Sequence, residues 1–403
     1  MNISKIFLFI IAVCTLAFTS CQELEGTDKS TSGSTSTSTD DQDRDNDVIT
    51  GDDYVYHLPV IFHVLYNTND QYIQYARLKE ILSNVNELYQ GNVYNLQIDT
   101  TESENLHVVF EMAKKDESGK TLSTPGVEYI KIDEKEISCD SFMSEEKYAK
   151  YTWDQNEYIN VMVYAFKTND DQTTTLGISH RPFSSNNLPA IKGLTETNYY
   201  PLPKPTNFAY CVSINSLYLD QKYEGTRYTT DKNSKKYTYS SLDPNATLAH
   251  ELGHYIGLYH VFAEDKEDGS MLKSDSDTDY CDDTPSYNRP AYQEWLTHYY
   301  ITHRATGKGN LKEATVHSNS KGQTWKADNI MDYECCYSMR ITKDQAYRIR
   351  QVLYYSPLIP GPKKPRTKSR AWSESTTGEL RLPINIAKEP SIKTTDITSR
   401  SRQ

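Results

Sequence analysis

The stretch from Thr247 to His260 reads Thr-Leu-Ala-His-Glu-Leu-Gly-His-Tyr-Ile-Gly-Leu-Tyr-His. An α-helix has about 3.6 residues per turn, so His250 and His254 lie one turn apart on the same face, and their imidazoles can bind one metal ion. Gly257 follows three residues later, where a glycine can adopt the left-handed conformation that ends a helix. The chain can then turn back and bring His260 to the same ion. Three neutral imidazoles with a fourth position open for water are typical of a catalytic Zn²⁺ site, so we expect these three histidines to be zinc ligands.

Glu251 is the candidate general base of this site. It lies about 100° further round the helix than His250, too far to join the ligands but close enough to reach a water on the metal. A bare His-Glu-x-x-His match also occurs by chance in helices, where the residues are structural. The added glycine and third histidine, in a chain with only ten histidines, argue against that structural reading.

The N-terminus has the features of an export signal. Residues 1–20 contain Lys5, an apolar run from Ile6 to Phe18 and small residues before Cys21, which is typical of a bacterial lipoprotein signal peptide. No other stretch approaches the roughly 20 apolar residues that a transmembrane helix needs. We expect Cys21 to be lipidated and to anchor the protein in the cell envelope, at the outer membrane or the cell surface. The alternative is an ordinary cleaved signal peptide in which Cys21 falls near the cleavage site by chance.

Composition divides the rest of the chain into three parts. Residues 21–53 are rich in Ser, Thr and Asp and have almost nothing to bury, which predicts a disordered tether. Residues 54–358 contain the apolar patterns of a folded domain, whereas residues 359–403 are rich in Lys and Arg and predict a flexible basic tail. The net charge of −12 argues against nucleic acid as a partner.

Hydrophobic periodicity predicts an α/β fold. His57 to Tyr66 is a nearly continuous run of apolar β formers, as expected for a strand buried on both faces. Tyr75 to Tyr89 has its apolar residues at helical spacing and ends before Gly91. Together with further strand candidates, these elements predict a mixed sheet with helices packed against it. The further candidates are Leu106–Met112, Gly126–Ile132, Tyr158–Phe166 and Asn207–Ser216.

Two later helices carry cap signals. Asp243 and Pro244 suit the N-cap and the first position of the helix that contains the histidines. Thr342 followed by Gln345 resembles a capping box and predicts a last helix that ends before Pro357.

Thr175 to Phe183 contains a glycine and a proline within a short β-like run, which predicts an edge strand. An exposed edge has unpaired backbone groups and can bind an extended peptide by strand addition. An edge kept inert by its proline is the alternative, and the sequence does not decide between the two.

Five cysteines follow Cys21, so at least one of them is expected to stay free or to pair between molecules. The most economical disulfide links Cys281 to Cys335 or Cys336, which would tie the segment after the metal-binding helix to a later loop.

The segment from Glu264 to Asp283 is strongly acidic. Clustered carboxylates on a loop can bind Ca²⁺ through their oxygens, although the spacing is not that of an EF-hand. A solvated acidic loop is the alternative.

Three further sequences carry a resemblance to a known family. They are Leu-Pro-Val-Ile-Phe-His-Val at 58–64, Asp-Thr-Pro at 283–285 and Asn-Ile-Met-Asp-Tyr at 329–333. With the histidine sequence, they resemble the pappalysin family of metzincin metallopeptidases, and in particular its exported bacterial lipoproteins. The resemblance covers roughly Tyr54 to Tyr355.

The resemblance implies a metzincin-like fold in which a cleft separates two subdomains. The upper one would hold the mixed sheet and the zinc helix. The lower one would begin after Gly257, be irregular, and contain a Met-turn and the C-terminal helix. In this comparison Met331 packs beneath the three imidazoles without ligating, and Tyr333 hydrogen-bonds the oxyanion as the tetrahedral intermediate forms.

The sequence therefore predicts a lipid-anchored zinc endopeptidase that cleaves extracellular polypeptides. The alternative from another class is an adhesion or binding lipoprotein that keeps the fold with a structural zinc. Hydrolysis of a non-peptide bond is a weaker third reading. The sequence gives no oligomeric state and no cleavage preference.

Overall fold

The computed structural model describes residues 54–93, 103–169, 173–185, 189–197, 206–220, 243–266, 269–304, 311–333, 335–361, 382–387 and 391–393. The predicted signal peptide, Cys21 and the predicted tether lie outside these residues. Within the described part of the chain, no helix is both long enough and apolar enough to cross a membrane.

A seven-stranded mixed sheet forms the centre of the fold. Its strands run in the spatial order β12-β6-β9-β4-β1-β2, and β3 pairs with β1 beyond the end of β2. Strands β1, β2, β3, β4 and β9 are parallel, whereas β6 and β12 run antiparallel to their neighbours. The bounds are β1 Tyr56–Tyr66, β2 Val108–Met112, β3 Val127–Lys131, β4 Ile159–Tyr164, β6 Gly177–His180, β9 Val212–Asn215 and β12 Ile386–Ala387.

Three smaller strand pairs lie outside this sheet. The strands β5 and β13 are antiparallel, β7 and β8 are parallel, and β10 and β11 are antiparallel. Their bounds are β5 Thr173–Thr175, β7 Phe183–Ser185, β8 Thr195–Thr197, β10 Val316–Ser318, β11 Thr324–Lys326 and β13 Ser391–Lys393.

The helices confirm most of the predicted helical segments. Helix α1 has the predicted bounds, the histidine helix is α3, and the capping box of Thr342 and Gln345 begins α6. One long helix, α4, follows the acidic segment and was not predicted, so this half of the fold is less irregular than expected. The bounds are α1 Tyr75–Tyr89, α2 Cys139–Ser144, α3 Pro244–Tyr255, α4 Arg289–Arg304, α5 Leu311–Ala314 and α6 Lys343–Tyr355; 3₁₀ turns occur at Asn69–Gln71, Glu146–Tyr151 and Ser216–Tyr218.

The main hydrophobic core joins the sheet to helices α1, α3 and α6. Phe62 of β1, Leu82 of α1, Leu252 of α3 and Leu353 of α6 are buried in this one cluster. The hydroxyl of Tyr89 in α1 also donates to a carbonyl of α3, with an O–O distance of 2.9 Å to Ala249. The histidine helix is therefore held rigidly below the sheet by apolar packing on two sides.

A second cluster contains Leu65, Phe142, Tyr164 and Phe166. Since side chains alternate across a strand, Leu65 and Val64 of β1 point to opposite faces, which places β1 between the two clusters. The prediction that this strand is buried on both faces is confirmed.

The cysteine prediction was wrong. Cys281, Cys335 and Cys336 are buried thiols, as are the other two cysteines of the described chain. The Sγ of Cys336 lies 3.2 Å from the carbonyl oxygen of Asn329, and the Sγ of Cys281 lies 3.7 Å from that of Asp279. Each of these sulfurs thus has a local hydrogen-bond partner instead of a disulfide partner.

The prediction of a flexible tail was also wrong for the described residues of that tail. Strands β12 and β13 pair with β6 and β5, and Leu382 and Ala387 are buried. Ile359 is buried too, so the folded domain continues past residue 358. Composition suggested a solvated tail because basic residues outnumber acidic ones and little can be buried. Pairing with β5 and β6 and the burial of Leu382 and Ala387 nevertheless hold its described strands in the fold.

Candidate metal centre

Helix α3 presents the first two candidate ligands. It begins as predicted, with the Asp243 side chain accepting from the backbone N–H of Asn245 (3.0 Å) and with Pro244 at its first position. The chain leaves the helix through Gly257, which has a φ of +105° and lies in the left-handed region that favours glycine. The turn returns the chain to the helix and places His260 next to His254.

The three predicted ligands converge on one point. The Nε2 atom of His254 lies 3.1 Å from that of His250 and 3.0 Å from that of His260. A tetrahedral ion with Zn–N bonds of about 2.0–2.1 Å would hold its nitrogens about 3.3–3.4 Å apart, which is within a few tenths of an ångström of this arrangement. Among the described residues, these three histidines are the one group of metal-ligand side chains that comes together in this way.

The other ring nitrogens fix the tautomers. The Nδ1–H of His250 donates to the carbonyl of Ile330 (2.7 Å), and the Nδ1–H of His254 donates to the carbonyl of Leu258 (2.8 Å). Carbonyl oxygens only accept, so the proton of each neutral ring is on Nδ1 and a lone pair faces inward from Nε2. Converging lone pairs repel one another unless a cation lies between them, so the donor set fits a divalent metal ion.

His260 is oriented by a carboxylate that the sequence analysis assigned to the acidic segment. Its Nδ1 lies 2.6 Å from Oε2 of Glu264, and Oε1 of Glu264 accepts from Nη2 of Arg181 at 2.7 Å. All three side chains are almost completely buried. Burial alone would raise the pKa of the Glu264 carboxyl, but His260 and Arg181 outweigh it and hold that pKa below its usual range.

Arg181 is itself held by aromatic contact. Its guanidinium lies 4.2 Å from the ring centroid of Tyr259, the residue before the third ligand. Glu264 and Arg181 contact the candidate metal centre and were not predicted from the sequence. Glu264 had a local signal, since it follows His260 by four residues, whereas Arg181 is distant in sequence and had none.

Glu251 lies on α3 between the first two ligands and is almost completely buried. Strand β6 packs closely over it at Gly177: a Cβ at that glycine would stand 2.7 Å from both Cγ and Oε1 of Glu251. A larger residue at position 177 would displace the carboxylate. Glu251 thus lies on the histidine helix, and Gly177 is the residue that leaves room for its carboxylate.

The Met-turn lies under α3. Met331 is buried, and a Cβ on Gly253 would stand 2.5 Å from its Sδ. The turn is tied to α6 because the side-chain amides of Asn329 and Gln345 exchange hydrogen bonds of 2.9 and 3.1 Å. Met331 therefore supports the helix that carries two of the imidazoles, as the family resemblance implied, and it is not among the candidate ligands.

Tyr333 reaches the metal centre from the same turn. Its hydroxyl lies 2.7 Å from Nε2 of His260, at the inner side of the imidazole cluster. Asp332 holds the backbone of Tyr333 in place, because its Oδ1 accepts from the Tyr333 backbone N–H (2.8 Å) and from the Tyr287 hydroxyl (2.7 Å). Tyr333 is thus placed where it can donate to an oxygen bound near the metal.

The acidic segment does not form a comparable cluster in the described residues. Asp275 accepts from the backbone and hydroxyl of Ser320, and Asp283 accepts from the N–H of Asp344 at the start of α6. Asp279 is buried against Thr284, and burial raises the pKa of the Asp279 carboxyl well above its usual range. The described structure therefore does not support the calcium prediction. Asp275 and Asp283 instead accept hydrogen bonds from a loop and from the start of α6.

One family model matches the chain. Residues 222–354 match the model of the M43 peptidases, which is described as pregnancy-associated plasma protein-A. This segment is therefore similar to the M43 peptidases. It contains the three imidazoles, Glu251 and Tyr333, so the predicted pappalysin resemblance is confirmed, and the segment is that of a metallopeptidase.

Solved structures of low sequence identity are also similar to the chain. Mature mirolysin of Tannerella forsythia in complex with a cleaved peptide is 20% identical, with a TM-score of 0.46 over 73% of this chain and 90% of that chain. A promirolysin variant of the same organism is 18% identical, with a TM-score of 0.45 over 74% of this chain and 80% of that chain. No curated protein sequence matches the chain.

Proposed function

We propose that the protein is a zinc-dependent endopeptidase that hydrolyses peptide bonds of extracellular proteins. The observation that carries the proposal is the convergence of three buried imidazoles on the helix and turn that also hold Glu251. An adhesion lipoprotein with structural zinc would need the ligands, but it would have no chemical use for a carboxylate at position 251.

The donor set favours zinc among common metals. Three imidazoles with an open fourth position suit Zn²⁺, whereas Ca²⁺ and Mg²⁺ prefer oxygen ligands. The Nε2 atoms of His250, His254 and His260 would hold the ion, which when bound supplies Lewis acidity toward a carbonyl oxygen and lowers the pKa of a water to about 7.

The side chains around the ligands carry the proton transfers and the charge stabilisation. Glu251 takes a proton from the attacking water and delivers a proton to the nitrogen of the leaving amine. Tyr333 donates its hydroxyl proton in a hydrogen bond to the carbonyl oxygen as that oxygen gains negative charge. Glu264 keeps His260 in the tautomer and orientation that the site needs.

The test is cleavage of a peptide library by the purified folded domain, with Glu251→Gln as the matched variant. Replacing the base with its amide should lower kcat by about 10²- to 10⁴-fold while zinc stays bound, because the amide cannot accept the proton. Tyr333→Phe should lower kcat with little change in metal affinity. Undiminished turnover by Glu251→Gln, or no cleavage by the wild type with zinc fully bound, would refute the proposal.

We also propose that Cys21 is lipidated and anchors the enzyme in the cell envelope. The support is the signal-like sequence of residues 1–20 and the solvated composition of residues 21–53. A Cys21→Ser variant expressed in a bacterial host should lose incorporation of labelled fatty acid and move to the soluble fraction. Incorporation of label by the variant would contradict the proposal.

A further inference from the structure

Strand β6 runs directly beside the proposed general base. Gly177, its first residue, lies so close to Glu251 that a Cβ would overlap the carboxylate. On one side β6 pairs with β9, within the sheet. Its other side is the edge for which the sequence allowed two interpretations. The edge either binds an extended peptide by strand addition or is kept from pairing by its proline.

The C-terminal segment covers that edge on both sides of Gly177. Ile386 and Ala387 of β12 pair antiparallel with His180 and Ser179. Beyond the glycine, β13 pairs antiparallel with β5, with Ser391 opposite Thr175. The two ladders share one register, so both described parts of the segment pair with the same edge in the same alignment.

Side chains and backbone groups hold the segment in place. Leu382 is buried in the main core, and its N–H donates to Oδ1 of Asn207 at 3.2 Å. The carbonyl of Asn385 accepts from the N–H of Arg181 at 2.9 Å. The Asn385 amide donates to Thr195 at 3.1 Å, and Ala387 is completely buried. The segment is therefore docked by specific contacts and not by charge alone.

An extended polypeptide that crosses the site would use the same edge. Strand addition satisfies the backbone N–H and C=O groups of an edge strand whatever the side chains are, which suits an enzyme that accepts peptides. The edge can pair with one strand at a time. From this geometry we infer that residues 382–387 and 391–393 compete in cis with the peptide substrate for the edge of β5 and β6, and that these residues leave the edge before a substrate binds. The inference rests on the proposed peptidase function.

The test uses two full-length variants that add the same charge to the segment. Ala387→Glu places a carboxylate at a completely buried position and should release the segment, whereas Ile384→Glu places it at a position that is 46% exposed and should not. A covalently attached competitor acts at an effective concentration on the order of millimolar, so release should lower KM for a peptide substrate about tenfold or more with kcat changed less than about twofold. Leu382→Asp is a second releasing variant in case Ala387→Glu does not fold.

A synthetic peptide of residues 382–393 gives a readout that does not need catalysis. Labelled with a fluorophore, it should bind the Ala387→Glu chain but not the wild type, as measured by fluorescence polarisation. Amides of β6 should also exchange with deuterium faster in the released variants than in Ile384→Glu. Peptide binding without cleavage would uphold the competition at the edge while refuting the peptidase proposal.

Cleavage with the same KM in the wild type and in a released, folded variant would overturn the inference and leave the peptidase proposal intact. An increase in KM on release would overturn it as well, because the segment would then assist substrate binding instead of competing with it.

Discussion

The imidazole pocket, formed by His250, His254 and His260, and the carboxylates from Asp275 to Asp283 within the acidic segment both consist of side chains of types that can bind metals. Their hydrogen-bond partners orient them differently. In the pocket, each ring has its Nδ1 held by a carbonyl or a carboxylate, so each Nε2 points inward. In the acidic segment, Asp275 and Asp283 turn to backbone N–H groups of neighbouring loops and of helix α6. Ligand type and number alone therefore do not make a metal site. The groups that hydrogen-bond to the ligands determine whether the ligand atoms converge.

The largest expected effect comes from removing one ligand of the pocket. His254→Ala leaves two imidazoles for the ion, and we expect zinc affinity to fall by at least about a thousandfold, since each ligand bond contributes several kcal/mol. Competition with a chromophoric chelator measures this affinity. An affinity within about tenfold of the wild type would mean that the metal binds elsewhere.

His180 is a buried imidazole that does not belong to the candidate metal centre. Its Nδ1 accepts from the N–H of Cys211 (3.2 Å) and its Nε2–H donates to the carbonyl of Met143 (3.1 Å), so the neutral ring has no free nitrogen. Burial lowers the pKa of His180 from 6.5 to about 4. Because the unfolded chain then binds more protons, stability should be full above pH 6.5 and should fall by on the order of 3 kcal/mol as the pH drops toward 4.

The measurement for His180 is the free energy of unfolding in urea at several pH values. His180→Gln should remove this part of the pH dependence, while His298→Gln, at an exposed position, should leave it unchanged. An equal loss of stability with falling pH in the wild type and in His180→Gln would contradict the assignment.

A smaller effect is expected from the carboxylate that orients His260. Glu264→Gln keeps the shape of the side chain but removes the charge between His260 and Arg181, and we expect zinc affinity to fall by between about 10- and 100-fold. Asp279→Asn is the matched control, because it removes a buried carboxyl that contacts Thr284 and no imidazole. Equal affinities in the two variants would show that Glu264 has no part in holding the metal.

The smallest effect is expected in the acidic segment. Asp275→Asn keeps an oxygen that can accept from Ser320, so we expect zinc content and the free energy of unfolding to stay nearly unchanged. Calorimetric titration with Ca²⁺ should give no heat that depends on Asp275. Calcium binding that is lost in the variant would restore this segment as a metal site.

The parts that could be predicted from the sequence are local in the chain. The spacing of His250, His254 and His260 and the caps at Asp243 and Thr342 depend on residues within a few positions, and each is where the sequence placed it. Periodicity likewise gave β1 and α1 nearly residue for residue.

The parts that could not be predicted depend on distant segments. Arg181 contacts Glu264, and residues 386–387 and 391–393 pair with β6 and β5, through contacts that no local pattern encodes. Glu264 was counted with the acidic segment because composition does not show which carboxylate turns inward. Helix α4 was missed because its apolar residues are mostly aromatic and the segment before it is strongly polar.

The metal content of the purified folded domain, measured by mass spectrometry, tests most directly whether the three imidazoles hold one zinc ion. We expect one zinc per chain in the wild type and in Glu251→Gln, and little or none in His254→Ala. Wild-type protein that folds without stoichiometric zinc, or a His254→Ala variant that keeps it, would show that these imidazoles do not form a zinc site.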